Sequence, residues 1–511
     1  MEERGTGDRS QARLLASGAL AQQAAQVLGL LAMFAIVTVL AHRLSLSELG
    51  AYGLLSSLAG YLVIVQNAGA AAAVRDMAAA HDDRERNGVF STAASLYALA
   101  GLVAGLALAL AGVLLSAAID LASSVRHQAQ LGSLLLGAVT FAGWPLTVSR
   151  DALRARQLFV RAAVTDMAAV AAYVAVVLGL VYGGAGLAVV IGASGSIPLI
   201  VGIAATAVAR SSGLPFRFER RAVSRSTARA LLGTAGYLSL IEALAASVYA
   251  LNRAILGVMR SAATVGLFEG PIRAHNLLRS LNGAVTVTAL PTAARYRAGD
   301  DTRRLEALLV RGVRYTLALV VPLTVTGMLL AGPILDVWLG GRFRDAGGAM
   351  AILLSHWLLS GCSGLLTAVL VALGRARDVA RWASGVALGD VVLALALTPV
   401  LGLEGVALAN SLPYVLLFPV LLGLTLREVR VGLGVLLRDA FAPAYLLGAA
   451  LAAVLAVLRL VADPATLPAV AAAALAAQLA YWFAYYLVWL DESERALVRG
   501  VVGDLLSRRR G

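Results

Sequence analysis

Lysine is absent from this chain of 511 residues, cysteine occurs once, aromatic residues make up 6% and charged residues 14%. Each shortage excludes something. A single cysteine, Cys362 inside an apolar run, rules out an intramolecular disulfide, a thiolate metal cluster and a dithiol redox pair. So few charges cannot cover a soluble globular surface, which takes about 25% charged residues on average. The basic residues, all 42 of them arginine, lie in short clusters between apolar runs without interleaved aromatics, so no nucleic-acid partner is expected. No Walker loop, His-Glu-x-x-His, metal-ligand spacing or Gly-x-Ser-x-Gly elbow occurs, and the connections are short, so neither an enzyme nor a cofactor is predicted. Asp82 and Asp83 adjoin Arg84, Glu85 and Arg86 and read as a solvated charge run.

What the chain has in quantity is apolar length: 60% hydrophobic residues and a mean hydropathy of +0.83. About 20 apolar residues cross roughly 30 Å of hydrocarbon as a helix. On that measure the chain reads as an all-α polytopic membrane protein of about 14 spans. Their limits are 18–41, 50–74, 91–115, 129–149, 162–182, 186–209, 231–256, 264–290, 307–331, 346–373, 379–400, 403–424, 441–461 and 466–490. With a cytoplasmic N-terminus, roughly 33 arginines fall inside and about 7 outside, which fixes the orientation and makes both termini cytoplasmic. Clusters such as Arg150/Arg154/Arg156/Arg161 and Arg375/Arg377/Arg381 read as topogenic and headgroup-facing, with membrane lipids as their partners. Arginine-only, Ala- and Gly-rich usage points to a GC-rich bacterial genome and so to a cytoplasmic, inner membrane.

Three short patterns recur at offsets of roughly 216 to 221 residues. Leu49-Gly50-Ala51-Tyr52 returns as Val265-Gly266-Leu267-Phe268. Leu153-Arg154-Ala155-Arg156 returns as Leu373-Gly374-Arg375-Ala376-Arg377. Gly183, Gly186 and Ala188 return as Gly402, Gly405 and Ala407. The chain therefore divides into a six-helix half (1–209), a basic cytoplasmic linker (210–230), a second six-helix half (231–424), two further helices (425–490) and a cytoplasmic tail (491–511). Six spans return the chain to its starting side, so the halves are parallel repeats about an axis along the membrane normal, with a substrate path between them and a linker that lets them rock.

Ionisable groups inside spans are costly and point to function. The eighth span carries Glu269, Arg273, His275, Asn276, Arg279 and Asn282. The seventh carries Glu242, Asn252 and Arg253, the last near the outer end, where an arginine snorkels. The first span contributes Gln22 and Gln26 on one face, and the second Gln66 and Asn67. Asp166, His356 and Asp390 read as helix-packing residues, with Asp390, Glu242 and Glu269 as candidates for coupling to a proton or sodium ion. A guanidinium offers paired donors to phosphate oxygens and stays charged when buried, which suits Arg273 and Arg279 to a phosphate-bearing substrate.

The segments Leu46–Tyr52, Val265–Glu269, Leu290–Ala294, Leu373–Arg375 and Gly402–Ala409 resemble the polysaccharide or oligosaccharide flippases of the multidrug/oligosaccharidyl-lipid/polysaccharide exporter superfamily, over nearly the whole chain. The resemblance implies an alternating-access bundle that flips a polyprenyl-pyrophosphate-linked oligosaccharide to the outer leaflet. Helices one, two, seven and eight would border its cavity. It also implies Arg279 and Arg273 as pyrophosphate contacts, Gln22, Gln26, Gln66 and Asn67 as sugar contacts with Glu269 and Asn276 beside them, and other polysaccharide-assembly proteins as partners. The positions on helices one and two are amides here and bring no positive charge. A lipid II flippase and a cation-coupled drug exporter of the same superfamily are the alternatives; a membrane glycosyltransferase or a non-transporting scaffold are remoter ones.

Overall fold

The computed structural model describes residues 2–214, 216–462, 464–496 and 499–500; the side chains of 2–20, 64, 65, 67, 68, 234–250, 284, 287 and 288 are outside that description. Asn67 and Glu242 therefore lie outside the described residues as side chains. Among the described residues there is no strand. The helices are α1 (Glu2–Arg43), α2 (Leu46–Ala79), α3 (Asp83–Ala118), α4 (Ser123–Gly143), α5 (Val148–Ala155), α6 (Phe159–Tyr182), α7 (Leu187–Ser194), α8 (Ile197–Ser211), α9 (Arg225–Met259) and α10 (Ala262–Ala298). They continue as α11 (Thr302–Leu329), α12 (Ala331–Leu339), α13 (Gly347–Ser355), α14 (Trp357–Ser360), α15 (Ser363–Ala372), α16 (Ala376–Leu401), α17 (Leu403–Val429), α18 (Leu433–Leu436), α19 (Ala442–Ala462) and α20 (Leu467–Val488).

Nine helical segments among the described residues are long and apolar enough to cross a membrane, and two bent pairs raise this to as many as eleven. The other expected spans coincide with α2, α9 and α10, helices of 34, 35 and 37 residues. The first of the two bends has an identifiable sequence cause. The α7–α8 pair turns by 52° at Gly195-Ser196, just ahead of Pro198, and the segment Gly341–Ser360 meets α15 at 42° across Gly361-Cys362. Proline lacks the N–H that would continue a helix, so a chain that breaks does so just before it.

By contacts the chain forms two compact units, Met1–Glu269 and Gly270–Gly511. In the first, α1 packs on α6, α2 on α9, α3 on α4 and α4 on α7. Its α2 begins with a reciprocal cap: the Ser45 N–H donates to Glu48 Oε2 at 2.8 Å and the Glu48 N–H to Ser45 Oγ at 3.2 Å. The repeated segments at Gly50 and Gly266 lie against each other. A Cβ on Gly50 would sit 1.8 Å from the Ala262 carbonyl oxygen, and one on Gly266 would sit 2.2 Å from that of Leu46. Glycine at both positions is what lets the backbones touch. Gly50→Ala should therefore lower stability by about 1–3 kcal/mol through overpacking. Gly60→Ala on the same helix, where nothing lies within 4 Å, should be neutral or slightly stabilising in thermal unfolding of the detergent-solubilised protein.

Residues 216–224 lie along the start of α3. Asn87 donates to Glu219 Oε1 at 2.7 Å and accepts from the Arg217 N–H at 2.8 Å. The Glu219 and Ser224 amides donate to Ser91 and Thr92 hydroxyls, and Phe216 stacks on Phe90 at 5.4 Å.

In the second unit α11 is the central column, packed by α13, α14, α19 and α20. Over half of its apolar window is buried, against about a fifth for α16, α19 and α20. The core runs from Leu309, Val313 and Leu317 to Phe418, Leu451 and Tyr481. Arg314 of α11 clamps the chain after α20: it donates to the Trp489 carbonyl at 2.5 Å, to Glu494 at 2.9 Å and to the Tyr485 hydroxyl at 3.1 Å. Tyr315 also donates to Glu494. Beside this clamp, hydrogen bonds from the Ser493 hydroxyl and the Glu494 amide hold the Asp491 carboxyl below its ordinary pKa. Arg314→Ala should cost about 1.5–3 kcal/mol, the range for hydrogen bonds to a charged group, and free the segment after Val488 for limited proteolysis.

Candidate functional site

In the first unit the described polar side chains on or beside the expected spans include three buried groupings. Arg253 donates from Nε to Glu269 Oε1 at 2.8 Å, with the pair 3% and 0% exposed. Arg253 also faces the Tyr61 hydroxyl. The expected snorkelling of Arg253 is thus corrected: a carboxylate across the α9–α10 corner holds its guanidinium in the interior. Gly53 of α2 leaves room for the pair, since a Cβ there would fall 2.4 Å from Glu269 Oε1.

The second place is Gln66, buried, whose amide donates to Thr147 Oγ1 at 2.7 Å. Gln22 on α1 is half-buried and Gln26 exposed. The third is the corner of α5 and α6. Asp151, fully buried, accepts from the Tyr97 hydroxyl at 3.0 Å and lies 3.7 Å from Arg150, while Arg154 bonds Asp166 at 3.1 Å. Two arginines expected to face headgroups, Arg150 and Arg154, are drawn into this network because α5 is short and the chain reverses at Gln157, bringing α6 back beside them.

In the second unit Arg273 and Asn276 are half-buried on α10, and Arg279 is exposed. Asn282 donates to Ser363 Oγ at 3.2 Å and accepts from the Gly364 N–H at 3.1 Å. Asp390, buried on α16, accepts from Asn410 of α17 at 3.4 Å. His275 and His356, both buried, lie ring to ring at 5.3 Å, and the Trp357 indole N–H donates to His275 Nδ1 at 3.2 Å. Tyr414 stacks on His356 at 4.9 Å. Sequence reading passed over Trp357, whose one signal was its place beside His356 in an apolar run.

Two of these contacts are related by the offset of the recurring sequence patterns. Gln66 with Thr147 and Asn282 with Ser363 are the same kind of bond, each partner lying 216 residues further on (66 to 282, 147 to 363). In each case an amide on a long helix is tied to a hydroxyl of another helical segment, Thr147 in the 3-10 turn between α4 and α5 and Ser363 at the start of α15. Glu269 and Gly53, which meet in the first unit, are related by the same offset. Among the described residues no cluster of three or more metal-ligating side chains occurs.

The family model described as "Polysaccharide biosynthesis protein" matches residues 39–347, well over half the chain, and that of the lipid II flippase MurJ matches residues 277–469. A probable flippase, AglR, of Haloferax volcanii is 28% identical over 193 residues. That stretch is 37% of this chain and 40% of AglR, so less than half of the relative's length is matched. A structure of the lipid II flippase MurJ in an inward closed conformation superposes with a TM-score of 0.71 at 13% identity, covering 94% of this chain and 99% of that one. An inward-facing multidrug resistance MATE transporter of the MOP superfamily gives a TM-score of 0.66 at 14% identity, covering 78% of this chain and 94% of its own. The all-helical fold with its repeated segments is thus that of MurJ and the MATE transporters, and the chain belongs to the polysaccharide biosynthesis protein family.

Proposed function

We propose that this multi-pass membrane protein is a flippase that carries a lipid-linked saccharide from the cytoplasmic to the outer leaflet by alternating access. The observation that carries the reading is the pair of matches: the polysaccharide family over most of the chain and the MurJ fold over 94% of it. The MATE neighbour accounts for 94% of its own chain but only 78% of this one, so the chain has helical structure beyond the exporter that the MurJ fold includes. This favours a lipid-linked cargo over a drug. A lipid II-type carrier is the second reading, favoured by the MurJ match over residues 277–469.

On this reading the exposed Arg279, with Arg273 two turns nearer the start of α10, receives the pyrophosphate. A guanidinium binds phosphate oxygens through paired N–H groups and gives up less hydration than an ammonium. Gln22, Gln26, Asn67 and Asn276 are the amides assigned to the sugar. Gln66 has given its N–H to Thr147 and keeps its carbonyl for that role. Glu269 belongs with Arg253 as an ion pair, and Asp390 and Glu242 stay as candidates for ion coupling. We assign the bilayer to the bacterial cytoplasmic membrane with both termini inside, an orientation that the arginine asymmetry supports, and other assembly proteins to the supply and uptake of the cargo. Purified protein in liposomes loaded with a polyprenyl-pyrophosphate oligosaccharide tests the activity. The reading expects the saccharide to become accessible to an external glycosidase beyond the half present in the outer leaflet, and protein-dependent movement of a drug but of no lipid-linked sugar would refute it.

A further inference from the structure

In the second unit the contact between His275 and Trp357 has no counterpart at the repeat offset. The tie between an amide on a long helix and a hydroxyl 81 residues on occurs twice, as Gln66 with Thr147 and as Asn282 with Ser363. The His275–Trp357 bond lies one to two turns away, yet at the same 216-residue offset the first half has Ala59 and Phe141. The fold therefore closes without this bond.

The chemistry of the pair explains what it adds. An indole N–H only donates, so Nδ1 of His275 must accept, and the single proton of that ring sits on Nε2. A second proton has only Nδ1 to occupy, and an Nδ1–H cannot accept from Trp357. Binding a proton and keeping the Trp357 bond are mutually exclusive.

We propose that His275 is a proton-binding site that works as a latch: protonation at Nδ1 releases Trp357 and uncouples α10 from α14. The proposal rests on the flippase reading only for its purpose, which is to link the position of Arg279, one turn along α10, to a proton gradient. The proton comes from water; no other bond is made or broken.

The groups around the ring set the sense of the response. Burial of the ring disfavours an imidazolium first of all; His356 across from it and Arg279 along its own helix add repulsion when charged, while the Leu353 carbonyl favours one. Of the elements packed against residues 347–360, α17 brings Glu404 and Tyr414. Asp336 of α12 is paired with Arg344, and α11 carries its charges, Arg303 to Arg314, in its first half. On α16, Asp390 is bonded to Asn410. The closed latch is thus the neutral form, and the charged form is stabilised when the ring moves off Trp357 toward water.

The test is amide hydrogen exchange of the full-length protein in lipid nanodiscs, corrected for the intrinsic pH dependence of exchange, from about pH 8 down to about pH 4, a range extended on the acid side because the ring is fully buried. Protection of the α10 stretch after His275 should fall about 3- to 10-fold on acidification, the factor for one lost hydrogen bond. His275→Asn keeps an acceptor and cannot take a charge, so its protection should stay flat. Trp357→Phe should show the acid-level protection at every pH. Unchanged protection in the wild type, or a His275→Asn variant that responds like it, would overturn the latch. Exchange reads the latch without any cargo, so a responding latch in a protein that moves no lipid-linked sugar refutes the flippase reading and leaves the latch standing.

Discussion

Glu269→Ala should be among the most destabilising single changes in the chain, costing about 3–5 kcal/mol, because it leaves the Arg253 guanidinium buried without its carboxylate. The pair is 3% and 0% exposed and its bond is 2.8 Å long, so solvent does little to screen the loss. Arg253→Met alone should cost a similar amount. The two changes together, Arg253→Met with Glu269→Leu, should recover most of the loss, since replacing both members of a buried pair by apolar side chains is often close to neutral. A double-mutant cycle on denaturation midpoints in detergent measures the coupling, and additive losses would show that the two groups do not depend on each other. Gly53→Ala serves as an independent probe: its methyl would have to displace Glu269 Oε1, so it should be damaging, and less so where Glu269 is already leucine.

Arg279→Ala should leave folding and membrane insertion intact and reduce flipping about 10- to 100-fold, as expected for losing a charge-assisted contact worth roughly 1.5–3 kcal/mol. Arg279→Lys should retain part of the activity, because a point charge still attracts the pyrophosphate but lacks the planar pair of donors. Arg279 is exposed, so the cost of its removal is that of a surface contact, and thermal stability should move by less than about 1 kcal/mol. An Arg279→Ala protein that flips normally takes this residue out of the path; one that also loses stability makes it a structural residue.

The parts of the fold that were legible in the sequence are those with local causes. Apolar runs marked spans because a helix in hydrocarbon must satisfy its own backbone. The recurring Leu-Arg-Ala-Arg and Leu-Gly-Arg patterns turn out to be one chain reversal used twice: Leu158 donates to the Leu153 carbonyl around Gln157, and Arg375 donates to that of Leu370 around Gly374. The Leu46–Tyr52 segment signalled itself through its cap and through Gly50, which the structure explains by the approach of Gly266.

The site was less legible because its pairings are decided by packing between helices. Arg253 and Glu269 are 16 residues apart on consecutive helices, and spacing on one helix gave no reason to join them. Arg150 and Arg154 counted as charges beside an interface until the return of α6 supplied Asp166. His275 stood out as an ionisable residue in a span, but its partner Trp357 lies on another helix, 82 residues away. Gln66, legible as a polar group, proves to have a structural bond whose meaning comes from its copy at Asn282.

The most direct test of the central claim is the sidedness of lipid-linked saccharide in membrane vesicles from cells with and without this gene, read by external enzymatic labelling. The flippase account predicts accumulation on the cytoplasmic leaflet without the gene, relieved by the wild-type protein and not by Arg279→Ala. Unchanged sidedness in a strain without a redundant flippase would contradict it.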